Sequence, residues 1–202
     1  MDSLDQIIGP AGPLLSRVDR MLSGAGAPPD HRVWAELRRV RLLPGDAVQA
    51  VASLRLDDLL DAAPGLRADA RAYAEIAESL PPPGIWTGDA ADAYDAARRR
   101  EAGILSGDPA SLDERLEATA DLAEALAGWV GQTRGALAGT LAQVLTSAEA
   151  LALTSAGLPD PTDGARAAAD VAERVLRTVA ESYDLAADLL HASADLATAL
   201  RV

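Results

Sequence analysis

The sequence predicts an all-α fold, an elongated antiparallel bundle built on long helical hairpins, and three observations carry the prediction. Hydrophobic residues make up 49% of the 202 but aromatics only 3%, with no Phe, so the apolar content is mostly Ala, Leu and Val; Ala and Leu are the strongest helix formers. The alternating β-branched and aromatic runs that mark strands are missing. The carboxyl-terminal half carries long segments, free of internal proline, with apolar residues at helical spacing. A chain of this length buries a real core in one domain or at most two.

Pro and Gly divide the chain into elements. Residues 1–43 read as short helices. An amphipathic segment runs from about Pro13 to Leu22, following an apolar stretch interrupted by Gly9 and Pro10, and Asp30 is placed to cap a second short helix carrying Trp34 and Leu37. Residues 44–202 read as the long bundle, the whole chain being expected to form one structural domain. "LPGD" at Leu43–Asp46 starts a helix that is interrupted at "APG" after Ala63 and resumes from Leu66 to about Leu80. After the turn "PPPGIWTG", a helix follows from about Asp89 to Leu105. Ser111 with Glu114 three residues later has the pattern of a capping box.

From there to about Ala156 no proline appears, and Leu116, Ala123, Val130, Leu137, Val144 and Leu151 recur every seven residues. This coiled-coil-like stripe is a candidate partner seam. Gly131, Gly135 and Gly139 are candidate break points, at about 1 kcal/mol each in a helix. The last helix is expected from about Ala165 to the end, with Val171, Val175, Val179, Tyr183, Ala186, Leu189, Leu196 and Leu200 along one stripe. Two helices of roughly 35 to 45 residues would each span on the order of 55 to 65 Å and bury their stripes by packing antiparallel.

Charge excludes some roles. The formal net charge is −13 and all 18 basic residues are Arg, a field that repels duplex nucleic acid and an anionic membrane surface alike. No apolar run approaches the roughly 20 residues of a membrane span. The amino terminus opens with Asp2 and lacks a basic n-region, unlike an ordinary signal peptide. Without Cys there is neither a disulfide framework nor a thiol nucleophile.

Catalytic chemistry has few candidates. "DDLLD", Asp57–Asp61, matches the aspartate-rich signature of magnesium-dependent prenyl-chain enzymes, since Asp57, Asp58 and Asp61 on a helix could share a divalent ion. No second acidic motif, no Lys and hardly an aromatic accompany it, and a solvated acidic face is the better account. His31 and His191 stand alone, without a metal-ligand or nucleophile spacing. The run "ARRRE" is a charged helix face. The expectation is a protein without enzymatic activity, cofactor or metal.

One stretch departs from the rest. In "SLPPPGIWTGDAADAYDAARRRE", Trp86 and Gly88 sit in a turn with Pro83 and Gly84, before a small-residue helix start with Ala90, Ala91 and Tyr94. This pattern, over about Pro44 to Ala156, resembles the WXG-type helical proteins of type VII secretion systems: the small Esx hairpins and the longer PPE and EspB-like proteins. The Arg-for-Lys, Ala-rich composition resembles that of high-GC actinobacteria, where such systems abound. The resemblance implies that Trp86 and Gly88 occupy the turn between two antiparallel helices. It also implies that the chain acts through protein–protein contacts, with a helical Esx-like or secretion-machinery partner or by self-association, and that it is secreted without a cleavable signal peptide. Tyr73, Tyr94 and Tyr183 are followed four residues on by Ala77, Arg98 and Ala187, so the Tyr-x-x-x-Asp/Glu half of the family's export signal would have to come from a partner chain. The alternative is a cytoplasmic helical scaffold, chaperone-like or antitoxin-like binder, with the same fold and no catalytic residues.

Overall fold

The computed structural model describes residues 2–155 and 160–199, with side chains to 194. It is all-helical: α1 Ser3–Gly24, α2 Val33–Val40, α3 Pro44–Ala52, α4 Leu56–Ser79, α5 Asp89–Leu105, α6 Leu112–Leu145, α7 Ala148–Thr154 and α8 Pro161–Ala199. The chain divides into two compact units, the first Met1–Arg55 with Trp129–Ala187, the second Leu56–Gly128 with Asp188–Val202.

The first unit has an aliphatic core. Leu4, Leu14, Leu15 and Val18 of α1, Val48 and Val51 of α3, Leu137, Leu141 and Val144 of α6, Leu153 of α7 and Val171, Val175 and Leu176 of α8 form one buried cluster. α1 packs against α3 and α7. α1 is longer than the Pro13–Leu22 segment expected from sequence, passing through Gly9, Pro10 and Pro13 without a break. Interior prolines cost about 3 kcal/mol each in an isolated helix, and burying a Leu or Val returns roughly 1.5–3 kcal/mol; α1 buries Leu4, Leu14, Leu15, Val18 and Leu22. Its start is secured by a reciprocal capping box, in which Asp2 accepts from the Asp5 N–H and Asp5 accepts from the Asp2 N–H, both at 3.1 Å.

Side chains from elsewhere in the fold close several ends that local sequence does not. α3 begins at Pro44 with no capping side chain of its own; Asp19 of α1 accepts the Gly45 N–H instead, both oxygens at 3.2 Å. A Cβ at position 45 would collide with that carboxylate, so a larger residue there would push the Asp19 cap aside. Burial pushes the Asp19 carboxyl above its ordinary value, with the Gly45 N–H opposing. Asp30 does not cap α2. The unprotonated Nδ1 of His31 accepts the Val33 N–H at 3.1 Å, while Nε2 sits 3.0 Å from Asp170 of α8.

Arg134 of α6 is the most deeply buried charged residue among those described, 8% exposed. Its guanidinium reaches Asp2, Asp5 (2.6 Å) and the Ala52 carbonyl (2.7 Å), binding the start of α1 to the end of α3. This guanidinium is the main cause holding the Asp2 carboxyl down at about 2. Trp129 donates Nε1–H to the Ser182 carbonyl at 2.6 Å, and Thr140 meets Thr178 at 2.9 Å.

The second unit is built on alanine. Among the described residues its buried hydrophobic side chains are Ala63, Ala70 and Ala77 of α4, Ala91 of α5, and Ala120, Ala123 and Ala127 of α6. α4 packs against α5, and Ala63 with Leu66 meets Ala120 and Ala123. Arg67 fans onto Glu117 (3.3 Å), Asp121 (2.7 Å) and Glu124 of α6. The helix expected from Leu43–Asp46 to Ala63 is two, α3 ending at Ala52 and α4 starting at Leu56, and α4 runs on through Pro64 rather than stopping at "APG".

Two further expectations are corrected. Ser111 and Glu114 form no capping box: the buried Ser111 hydroxyl donates to Asp113, which also accepts from Ser106 and from the Glu114 N–H at 2.8 Å. Burial works against the Asp113 carboxylate, but these donors outweigh it and hold its pKa below the ordinary value. α6 is continuous through Gly131, Gly135 and Gly139, as the reading of one long helix expects, and runs for 34 residues. It ends at Leu145 instead of near Ala156, because the Ser147 hydroxyl accepts the Ala150 N–H and starts α7 at a bend of 62°. Leu196, Leu200 and the Ala156 boundary lie outside the residues or side chains described.

Candidate functional site

Residues 80–88 connect α4 to α5 and hold the tryptophan singled out in the sequence. The Trp86 N–H reaches the Pro83 carbonyl at 3.4 Å, closing a turn in which Gly84 has φ +66° and Gly88 φ +91°. Both are conformations that glycine adopts without a Cβ penalty. A Cβ at Gly84 or Gly88 would meet nothing within 4 Å, so backbone conformation, not crowding, requires Gly there. The Gly88 carbonyl starts α5 by accepting from the N–H of Ala91 (2.9 Å) and Asp92 (3.1 Å).

Trp86 is 62% exposed and Ile85 98%. The indole meets the Tyr94 ring edge-on, centroids 5.8 Å apart and planes at 62°, a favoured aromatic geometry. Tyr94 in turn donates its hydroxyl to the Pro81 carbonyl at 2.9 Å. The turn's side-chain hydrogen bond therefore comes from Tyr94, not from the indole N–H. Pro83 is half-buried, Ala90 exposed and Ala91 buried. The exposed Ile85 escaped the sequence reading, although an Ile–Trp pair inside a Pro- and Gly-rich turn was a legible signal.

The heptad stripe goes elsewhere. Ala123, Val130, Leu137 and Val144 are buried within the chain and Leu116 is half-buried. Leu151, beyond the bend, is 69% exposed. The stripe from 123 to 144 is thus taken up by the chain's own packing. Trp129 lies inside α6 and tilts against Tyr183 with centroids 6.1 Å apart.

The acidic and basic candidates scatter. Asp57, Asp58 and Asp61 are exposed on the first turns of α4. His191 is exposed on α8 and His31 is engaged with Asp170. Among the described residues no group of three or more His, Asp or Glu is placed to hold a metal ion. In "ARRRE", Arg98 and Arg99 both turn onto Asp95, whose carboxyl they lower, with Arg99 the larger cause. No single helix among the described residues is long and apolar enough to cross a membrane. Arg134 was missed as a structural centre, though it is the only charged residue between Glu124 and Glu149. The chain matches no protein-family model, no curated protein and no solved structure.

Proposed function

We propose that the chain is a non-enzymatic helical interaction protein, similar to a type VII secretion substrate or secretion-associated factor, with the Trp86–Gly88 segment as a recognition turn. The observation that carries the reading is the exposure of Trp86, 62%, on a turn braced by Tyr94. Large indoles are normally buried for stability, and an exposed one supported from beneath is the kind of anchor that dominates protein–protein contacts. The W-x-G letters, the helices on either side and the acidic, Arg-only composition support the secretion context.

The test is the distribution of tagged chain between culture filtrate and lysate in an actinobacterial host, with and without a functional type VII secretion ATPase. ATPase-dependent appearance in the filtrate is expected. Retention in the lysate of both strains, with lysis controlled, would leave the cytoplasmic helical binder. Trp86→Ala is expected to reduce export while moving stability by under about 0.5 kcal/mol, as for an exposed side chain; equal loss of export and stability would make Trp86 a packing residue.

A further inference from the structure

We infer that the α4–α5 connection docks into an apolar pocket rimmed by Arg or Lys on another protein, an inference that rests on reading this turn as a recognition element. Ile85 and Trp86, 98% and 62% exposed, are adjacent large apolar side chains in water, and docking them in a pocket removes that apolar surface from water, which is favourable. The Tyr94–Pro81 hydrogen bond and the edge-on ring contact hold Trp86 in one place, which lowers the ordering cost of binding.

Charge specifies the rim. Between Arg71 and Arg98 the sequence has five carboxylates and no cation: Glu75, Glu78, Asp89, Asp92 and Asp95. Among the described residues only Asp95 of these makes an ion pair, with Arg98 and Arg99. Asp89 and Asp92, in the first turn of α5, complement the positive end of its dipole. Glu78 has no such account. It lies in the last turn of α4, which contains no basic residue, at the end of the helix where a negative charge is unfavourable. A cation supplied from outside the chain relieves that cost and complements the other carboxylates as Ile85 and Trp86 enter the pocket.

The same charge argues against other occupants. A second copy would bring an identical acidic turn, and the second unit as a whole carries 18 carboxylates against seven Arg. Anionic lipid would be repelled.

The experiment uses the full chain carrying fluorotryptophan, whose three Trp give one fluorine resonance each, with Trp86 assigned by Trp86→Phe. The probes are an amphipathic helical Leu/Lys peptide, its Leu/Glu counterpart and phosphatidylcholine vesicles. The expected result is a saturable shift of the Trp86 signal with the Leu/Lys peptide alone, Trp34 and Trp129 unmoved. Affinity should fall roughly tenfold in Glu78→Gln/Asp89→Asn/Asp92→Asn and on raising salt to molar strength, where screening shrinks to about 3 Å. Losing the two α5 carboxylates should lower the thermal midpoint by no more than about a few degrees, and binding is read well below that midpoint, so the loss is not unfolding.

Equal binding of the Leu/Glu peptide, or no shift at millimolar Leu/Lys peptide, overturns the inference. So does a Trp86 shift produced by vesicles alone, or self-association abolished by Trp86→Ala, each assigning the turn to a different occupant. Export measured in parallel separates the two readings: export without peptide binding sinks this inference only, and peptide binding by a chain retained in the lysate sinks the secretion reading only.

Discussion

The two units solve the same problem, holding long helices together, with different side chains. In the first, Leu and Val from α1, α3, α6, α7 and α8 interlock in one core, and the charges nearly cancel, with 13 carboxylates against 11 Arg. In the second, the buried apolar contacts are alanines, while Leu60, Ile76, Ile85, Trp86 and Ile104 are exposed and 18 carboxylates face seven Arg. An Ala interface allows close approach but removes little apolar area from water, and excess like charge opposes compaction. The difference teaches that large-side-chain burial is concentrated in the first unit, while the second keeps more of its large apolar side chains in water.

The largest effect should come from the first core. Leu176→Ala, at a fully buried position, is expected to cost about 2–5 kcal/mol, read by chemical denaturation. A loss near zero would break the comparison, since the aliphatic cluster would then not carry the stability assigned to it.

Arg134→Ala should come next. Breaking a buried pair costs about 3–5 kcal/mol, less here because the Asp2 and Asp5 side chains keep 44% and 38% exposure. Arg67→Ala in the second unit should cost visibly less and be partly mimicked by salt, because its carboxylate partners are mostly in water.

The pH dependence follows the same division. The Asp2 carboxyl is lowered to about 2 in the fold, chiefly by Arg134. Its contribution is therefore fully present above the unfolded value near 3.8 and lost as pH falls through about 2. Asp2→Asn should flatten acid unfolding across that window. Asp19 has the opposite sign: burial raises its carboxyl, so its contribution is present below the unfolded value and fades as pH rises through the folded one.

The smallest effect sharpens the comparison from the stabilising side. Gly131, Gly135 and Gly139 are exposed on α6, and a Cβ at each would meet nothing within 4 Å. Gly131→Ala and Gly135→Ala should each raise stability by up to about 1 kcal/mol, since no packing offsets the entropy that Gly loses. A loss in either variant would show that these glycines serve a close approach absent from the isolated chain.

Legibility in sequence followed the range of the interactions. Helix type was visible because Ala- and Leu-rich periodicity is local, and Trp86 stood out because Pro83, Gly84 and Gly88 surround it. The end of α6 was misplaced because the capping Ser147 competes with a stripe that continues in sequence to Leu151. α1 and α4 were wrongly divided because Pro10, Pro13 and Pro64 count against a helix locally, while for α1 the compensation comes from residues far along the chain.

By itself, then, the sequence determined the helical class, the acidic charge and the unusual turn, all properties of composition or of neighbours a few residues apart. Tertiary structure alone decided that Arg134 ties Asp2 and Asp5 to the end of α3, and that Asp19 caps a helix 26 residues away. It also decided that the α6 stripe from 123 to 144 is consumed within the chain while Ile85 and Trp86 stay in water. The physical reason is common to all: burial and ion pairing depend on which distant side chains arrive, and amphipathic periodicity is the same whether a face meets its own chain, another chain or solvent.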